Sequence, residues 1–325
     1  MITEAGNGRE HQVGLLTFGE TMGLVVAGGV GTLEFIRNFS FGIGGAESNV
    51  AIGAARLGAP VTWIGRIGPD ATGELIRRRL QAEGVDTIAI RDPSFTGLMV
   101  RHCRAGAVRH VDYHRAGSAG SHLTPDDIPD ESIRRAAIVH ITGITPALSG
   151  SARATVFDAV AVAKAAGVLV SVDINYRAKL WDGDTARPVL RRLVCQADIV
   201  FGGIGEAQLV LDTTIADAER LARELGALGP HDVVIKEGAR GCTAVIADVA
   251  LAEPAVPVTV VDPVGAGDAF VAGYLVERLA DAEPRARLRT AVAMGAYAVA
   301  VPGDCESWPT RSELTALADD EEVVR

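Results

Sequence analysis

Residues 258–280 combine two glycines and a carboxylate at the predicted start of a helix. An apolar stretch, 258–261, is predicted to be a strand leading into Asp262, and Gly265-Ala266-Gly267-Asp268 follows. The glycines let consecutive amide N–H groups point at one spot beside the positive end of the helix dipole. Such an anion hole suits phosphoryl transfer, because negative charge spreads over the transferring oxygens. A carboxylate there would repel phosphate, so Asp268 is predicted to be the base that accepts the proton of an attacking hydroxyl.

The same glycines are compatible with other interpretations. An ordinary strand-to-helix turn is compatible with the motif taken alone, since short glycine motifs recur by chance. The segment lacks the Gly-Lys-Ser/Thr of a phosphate loop. A nicotinamide-dependent oxidoreductase would need a glycine fingerprint after the first strand, where Glu20-Thr21-Met22 stands instead. That class is excluded.

A second glycine-rich region occupies residues 41–74. Gly44 and Gly45 precede a predicted helix that begins with the polar Ser48 and Asn49, and a later polar turn contains Gly65, Gly68, Asp70 and Gly73. Helix capping and close packing through small residues would explain part of this pattern. The two glycine-rich regions together are far more specific than either one alone.

Short apolar runs alternate with amphipathic stretches along most of the chain. Buried strands are predicted at 13–19, 61–68, 136–143, 167–175, 197–203 and 231–238. Helices are predicted at 48–57, 72–84, 152–166, 185–196 and 215–228. The alternation indicates a three-layer α/β fold, in which helices cover both faces of a doubly wound, mostly parallel sheet. Ligands of such sheets bind beyond the carboxyl ends of the strands.

Two segments, 20–43 and 94–115, interrupt this alternation and are predicted to form a small β-sheet lid. The second segment alternates like an exposed hairpin with Gly106 at its turn. The outer face of such a sheet can pair with a second subunit, so a homo-oligomer formed through the lid is expected. The α/β body then comprises 13–19, 44–93 and 116–318, between a flexible tail at 1–12 and a C-terminal tail at 319–325.

Composition limits the partners and the compartment. Of the 325 residues, 41 are acidic and 31 are basic, a formal net charge of −10, which disfavours nucleic acid and anionic membranes as partners. The four cysteines are scattered and the seven histidines show no metal-ligand spacing, as is typical of proteins from a reducing compartment. No stretch approaches the roughly 20 apolar residues of a membrane span. A cytoplasmic protein is expected.

The two glycine-rich regions resemble the two signatures of the ribokinase-like (phosphofructokinase-B type) carbohydrate kinases. The first signature corresponds here to Gly44–Gly73, the second to Asp262–Asp268, and the resemblance extends over about residues 14–318. It implies a doubly wound α/β body with a β-sheet lid, which agrees with the pattern of elements. It also implies ATP as the phosphoryl donor, with Mg²⁺ bound to the nucleotide.

Within this family the chain most resembles kinases of 2-keto-3-deoxygluconate. The segments that carry the resemblance are GET (19–21), GGAESNVAIG (44–53), DYHRAGSAGSHLTP (112–125), HITGITPALS (140–149) and VDINYRAKLW (172–181). The resemblance implies that the substrate is bound by Gly44, Gly45, Asn49, Tyr113, Arg115, Arg177 and Asp268. It implies nucleotide contacts from Asn175, Arg177, Lys236, Gly238, Arg240, Gly241, Gly265 and Gly267, and an anion hole formed by Gly265, Ala266 and Gly267.

An acid substrate agrees with the residue chemistry, because Arg115 and Arg177 offer the planar fork that pairs with a carboxylate. Arg115 could instead be a solvated lid residue, and Tyr113 a packing residue of the lid. Arg177 follows the end of a buried strand together with Asp173 and Asn175, at the predicted binding edge.

Three positions depart from the family pattern. His114 stands where relatives often have a second tyrosine, and Pro263 replaces the more widespread threonine. The family's Asn-x-x-Glu motif corresponds to residues 203–206, in which glycine replaces asparagine and Glu206 is kept. Glu206 is therefore expected to organise Mg²⁺ indirectly, through water. The nucleotide base is expected between 291–295 and the 236–241 turn.

These observations predict an ATP-dependent kinase that phosphorylates 2-keto-3-deoxygluconate on its terminal hydroxyl. A kinase of the same family for a neutral sugar, such as fructose or ribose, is the nearest alternative, and convergence of Arg115 and Arg177 on one pocket would favour the acid. A catalytically silent sugar- or nucleotide-binding regulator is a further alternative. Asp268 within its glycine motif argues against it, since a silent protein needs no carboxylate there.

Overall fold

The computed structural model describes residues 14–105, 108–301, 303–306 and 308–318. The expected tails, 1–12 and 319–325, and the hairpin turn at Gly106 lie outside these residues.

The strands are β1 (Leu15–Phe18), β2 (Met22–Val30), β3 (Phe39–Gly44), β4 (Val61–Ile67), β5 (Asp86–Arg91), β6 (Leu98–Ala105), β7 (Val108–His114), β8 (Ile138–Thr142), β9 (Leu169–Asp173), β10 (Ile199–Gly203), β11 (Asp232–Lys236), β12 (Cys242–Ile246) and β13 (Val249–Glu253). The α-helices are α1 (Ala46–Arg56), α2 (Ala71–Ala82), α3 (Asp130–Arg135), α4 (Thr145–Leu148), α5 (Gly150–Ala166), α6 (Gly183–Val194), α7 (Ile204–Leu211), α8 (Ala218–Gly226), α9 (Ala266–Leu279), α10 (Pro284–Val299) and α11 (Arg311–Ala318).

Nine strands form one large sheet in the order β13-β12-β11-β10-β9-β8-β1-β4-β5. All neighbours from β11 to β5 pair in parallel, whereas β12 and β13 add an antiparallel edge. The central strands are buried on both faces, as the five buried residues of β8 show, and this explains their nearly continuous apolar sequences. The strands β5, β12 and β13 were not predicted. β5 and β13 are the two edge strands, and their residues are only partly buried or exposed, whereas β12 is mostly buried between β11 and β13.

Helices cover both faces of this sheet. Leu15 and Leu16 of β1 belong to different hydrophobic clusters, one on each side, because successive strand residues point to opposite faces. The cluster that contains Leu15 includes residues of α1, α2, α9 and α10, and the cluster that contains Leu16 includes residues of α5, α6, α7 and α8. The predicted three-layer, doubly wound fold class is confirmed.

A separate four-stranded sheet, the lid, has the order β3-β2-β6-β7. β2 pairs antiparallel with β3 and parallel with β6, and β6 pairs antiparallel with β7. Its inner face has a small apolar core of Met22, Leu24 and Met99. The predicted small β-sheet lid is therefore present.

One predicted strand is wrong, and one predicted helix is shorter than expected. Residues 258–261 are not a strand, although Val258, Val260 and Val261 are apolar; all three are solvent-exposed in a segment that joins no sheet. The helix predicted at 215–228 is shorter, Ala218–Gly226, because the side chain of Asp217 caps its start by accepting from Arg220 N. Helix α7 directly before it was not predicted at all.

No helix among the described residues is long and apolar enough to cross a membrane.

Candidate active site

A cavity of about 480 Å³ lies between the lid and the carboxyl ends of the central strands. The chain leaves β1 toward β4 on one side and later adds β8 on the other, so the strand order reverses at β1, where doubly wound sheets bind ligands. Glu20 after β1, Ile144 after β8 and Arg177 after β9 line this cavity, and the lid contributes Met99 and Tyr113. Gly265 and Asp268 line it from the start of α9.

The glycine motif forms a tight turn into α9. Gly265 is the residue before the helix and has φ 79°, a left-handed conformation that favours glycine. The amides of Ala266, Gly267 and Asp268 lie in the first turn of the helix, where amides have no carbonyl partner within the helix. A Cβ at Gly267 would lie 3.5 Å from Lys236 Nζ, so an ammonium group is also close. The turn combines the elements of an anion site.

Asp268 is 9% exposed, and its Oδ2 accepts a hydrogen bond of 2.8 Å from Asn49 Nδ2. Burial raises the pKa of Asp268 to about 7, and the charge of Asp173 adds to this increase, whereas Asn49, Arg177 and Lys236 oppose it. A carboxyl group with such a pKa exchanges protons near neutral pH, which is the property required of a general base.

Lys236, at the end of β11, forms a partly buried ion pair with Asp173 at the end of β9. Its Nζ lies 2.9 and 2.8 Å from the two Asp173 oxygens. Burial alone would lower the pKa of Lys236, but the charges of Asp173 and Glu206 outweigh it and raise the pKa above its usual value. The lysine therefore stays charged beside the start of α9, held there by Asp173.

Glu206 serves the protein backbone in this structure. Its Oε2 accepts from Gly203 N at 2.7 Å and its Oε1 from Tyr176 N at 2.8 Å. Burial raises its pKa, an effect that the nearby Lys236 opposes. Glu206 thus connects the start of α7 to the segment after β9. Among the described residues, no group of three or more His, Cys, Asp or Glu side chains could hold a metal ion.

The basic residues of the cavity differ in their partners. Arg115 is paired with the buried Glu20, whose Oε2 accepts from Arg115 Nε at 2.7 Å. Arg177 lines the cavity, and its side chain has no hydrogen bond or ion pair among the described residues. Lys179 Nζ donates to Val111 O of the lid at 2.7 Å and lies 5.8 Å from the Tyr113 ring centroid. Arg115 and Arg177 therefore reach one pocket, but Arg115 is already neutralised.

The two glycines before α1 are held closely. A Cβ at Gly44 would collide with Met99 and Asp304, and one at Gly45 would lie 2.5 Å from Glu20 O. Gly45 also lines the cavity. Small residues are required here because the lid and the body meet at this point.

Several of the residues expected at the nucleotide lie outside the cavity wall. Arg240 is paired with Glu237 at 3.0 Å and is 70% exposed. Gly238 and Gly241 shape the turn after β11 with φ values of 59° and 98°. Asn175 is buried after β9 with φ 36°. The structure brings Asn49, Arg177, Lys236, Gly265 and Asp268 together, whereas Arg240 does not line this cavity.

The sequence analysis did not identify some residues of this site. Glu20, Arg101, Lys179 and Asp304 line the cavity, and Glu47 lies buried close beneath it, where its Oε1 accepts from Thr142 and Thr145 at 2.7 and 2.6 Å. Arg101 had a recognisable signal, because it shares the inward face of β6 with Met99 at a spacing of two residues. A charged residue at an inward strand position indicates a specific partner.

Comparison with known proteins shows the family of this chain. The family model described as pfkB family carbohydrate kinase matches residues 15–311. The 2-dehydro-3-deoxygluconokinase of Bacillus subtilis is 34% identical over 314 residues, which cover 95% of this chain and 96% of that protein.

Solved structures of similar proteins share the whole architecture. The 2-dehydro-3-deoxygluconokinase of Thermotoga maritima has a TM-score of 0.88 at 25% identity and covers 95% of this chain and 99% of its own. A ribokinase II from Escherichia coli, solved with ATP and Mg²⁺, has a TM-score of 0.87 at 25% identity over 94% of this chain and 99% of its own. With its glycine motif, its lid and its nine-stranded sheet, the chain belongs to the pfkB family of carbohydrate kinases.

Proposed function

We propose that this kinase transfers the γ-phosphoryl group of ATP to the 6-hydroxyl of 2-keto-3-deoxygluconate, which is the same compound as 2-dehydro-3-deoxygluconate. The observation that carries the proposal is the position of Asp268, a buried carboxyl with a pKa of about 7 at the start of α9 and on the wall of the cavity. The name of the Bacillus subtilis relative supports the choice of sugar acid.

In the proposed mechanism, Asp268 accepts the proton of the substrate hydroxyl as that oxygen attacks the γ-phosphorus. The bond from the γ-phosphorus to the ADP oxygen breaks, and ADP leaves with the electron pair. The Gly265, Ala266 and Gly267 amides stabilise the negative charge on the transferring oxygens, helped by the helix dipole. Lys236 adds a fixed positive charge on the same side.

The residues present fit a metal that arrives with the nucleotide. The described part of the chain contains no cluster of ligands, and the oxygens of Glu206 already accept backbone hydrogen bonds. Glu206 would therefore contact Mg²⁺ only through water, as expected from the sequence. When bound, Mg²⁺ would neutralise phosphate charge. Nucleotide contacts from Asn175, Gly238, Arg240 and Gly241 remain part of the proposal.

The free positive charges of the cavity support an acid as the substrate. Arg177 lines the cavity without an ion-pair partner in the described chain, and Lys179 donates only to a carbonyl oxygen. A substrate carboxylate would complete the pairing of one or both groups. Tyr113, with Gly44, Gly45 and Asn49, would bind the hydroxyl side of the sugar.

One observation favours a neutral sugar instead. Glu20 already neutralises Arg115, which removes one of the two arginines expected to select an acid.

The proposed substrate is tested by an ADP-release assay over a panel of 2-keto-3-deoxygluconate, 2-keto-3-deoxygalactonate, fructose, ribose and nucleosides. The proposal expects the highest kcat/KM with a 2-keto-3-deoxy acid. A higher value with fructose or ribose would assign a neutral sugar, and no ADP release with any compound would favour a silent regulator.

We also propose a cytoplasmic homo-oligomer that assembles through the lid. Five large apolar side chains of the lid segment 20–43 are solvent-exposed: Val30, Leu33, Phe35, Phe39 and Phe41. An exposed apolar patch of this kind is typical of an interface. Sedimentation velocity should give a dimer or larger species, and Phe41→Asp should shift it toward monomer. A monomeric wild type would contradict the oligomer.

A further inference from the structure

One of the basic residues in the cavity is held between two carboxylates of the body. Arg101, on lid strand β6, is 4% exposed. Its Nη1 lies 2.7 Å from Asp304 Oδ1, and its Nη2 lies 3.2 Å from Asp262 Oδ2. Both acids are themselves buried, at 5% and 6% exposure. The lid is thus tied to the body by a charge-assisted contact that water scarcely reaches.

The two carboxylates belong to the loops that support the anion hole. Asp262 Oδ1 accepts a hydrogen bond of 3.2 Å from Val264 N, directly before Gly265. The carbonyl oxygen of Asp304 packs so closely on Gly265 that a Cβ there would collide with it. Arg101 therefore contacts both supports of the residue that begins the anion hole, although it belongs to the lid.

The charges in this cluster require the arginine. Burial raises the pKa of Asp304 to about 6, Arg101 opposes this increase, and Glu306 and Asp262 add to it. Without Arg101, both buried carboxylates would lose the guanidinium that contacts them, beside a site that must accept phosphate. Removal of one charged partner from a buried ion-pair cluster leaves the other charges uncompensated and strongly destabilises the loops that carry them.

We infer that Arg101 is a positioning residue that couples the lid to the anion hole by holding Asp262 and Asp304 around Gly265. The inference rests on the proposed function, in which the amides of residues 265–267 receive the transferring phosphoryl group. Arg101 does not bind the substrate carboxylate, because two protein carboxylates already occupy its guanidinium. Opening of the lid would withdraw Arg101 from both acids and loosen the anion hole, so that catalytic geometry exists only when the lid is closed.

The test compares Arg101→Met, Arg101→Lys and the matched control Arg104→Met, an exposed arginine on the same strand. Steady-state kinetics use the sugar that the wild type phosphorylates best. We expect Arg101→Met to lower kcat about 100-fold, the scale of a roughly 1 Å misplacement, with a much smaller change in the KM for the sugar. Arg101→Lys should recover part of the loss, and Arg104→Met should leave kcat unchanged.

A folded Arg101→Met variant with wild-type kcat, or with a loss confined to KM, would overturn the inference. If thermal melting shows that Arg101→Met does not fold, Asp304→Asn provides the same test, because it keeps the shape and weakens the 2.7 Å contact. It should lower kcat about tenfold, and wild-type kcat would reject the coupling. If the wild type is active and the variants keep its kcat, only the role of Arg101 is rejected. If the wild type phosphorylates no sugar, the proposed function itself is rejected.

Discussion

Gly53 on α1 and Ala272 on α9 approach so closely that a Cβ at Gly53 would lie 2.7 Å from Ala272 Cβ. Gly53 follows Asn49 by four residues, and Ala272 follows Asp268 by four. Residues four apart lie on the same face of a helix. The contact of small residues one turn away therefore brings Asn49 against Asp268, and the site depends on helix packing as well as on the glycine motif.

Gly53→Val tests this dependence. The added side chain should force the two helices apart, destabilise the protein by about 1–3 kcal/mol, and lower kcat by lengthening the contact between Asn49 and Asp268. Chemical denaturation and steady-state kinetics measure the two effects. Gly150→Ala is the control, since a Cβ at this helical position has nothing within 4 Å. It should lower neither the free energy of unfolding nor kcat. Wild-type kcat in a folded Gly53→Val variant would contradict the argument.

The pH dependence of kcat/KM should report the carboxyl of Asp268. Because its pKa is about 7, kcat/KM should fall tenfold per pH unit below that value and level off above it. The hydrogen bond from Asn49 lowers this pKa, so in Asn49→Ala the fall in kcat/KM should begin at a higher pH. A wild-type kcat/KM that falls only near pH 4, or a variant whose fall begins at a lower pH, would contradict the role of Asp268 as the base.

Stability should change with pH for the same reason. The pKa of Asp268 is raised on folding, from 3.8 to about 7, so its protonated form stabilises the fold below pH 3.8, and this contribution is lost as the pH rises through about 7. Asp268→Asn keeps an acceptor for Asn49 and carries no charge. Its melting temperature should exceed that of the wild type at pH 8, and the difference should shrink at pH 5. Equal differences at both pH values would contradict the burial of an ionisable carboxyl.

Arg177→Ala tests the choice of an acid substrate. Arg177 has no protein ion-pair partner in the described chain, so its removal leaves no buried acid unpaired, unlike removal of Arg115 from Glu20. We expect KM to increase at least tenfold for 2-keto-3-deoxygluconate and less for fructose. Competition kinetics with both sugars measure this ratio, and equal increases would remove the electrostatic reason for an acid.

The sequence predicted the parts of this molecule that depend on local pattern. The central strands β1, β4 and β8–β11 were recognised because burial on both faces leaves uninterrupted apolar runs. The GAGD turn was recognised because two glycines let the backbone turn sharply into a helix, and Gly265 has the left-handed backbone of such a turn. The fold class follows from the alternation of such elements.

The parts that the sequence did not predict depend on tertiary contacts. Valines at 258, 260 and 261 have the apolar character of a strand, but this segment is not part of either sheet in the described structure. The partners of Arg115 and Arg101, namely Glu20, Asp262 and Asp304, lie between 95 and 203 residues away along the chain. Such pairings are decided by how the lid folds over the body, and no local pattern encodes them.

Turnover of Asp268→Asn is the most direct measurement of the proposed mechanism. Nucleotide affinity by calorimetry should stay near the wild-type value, since the amides of the anion hole remain, while kcat for the best sugar should fall by about 10²–10⁴-fold with loss of the base. Asp184→Asn, at a fully exposed helix position with 95% side-chain exposure, should retain wild-type kcat. Near-normal turnover in Asp268→Asn would contradict the assignment of Asp268 as the base.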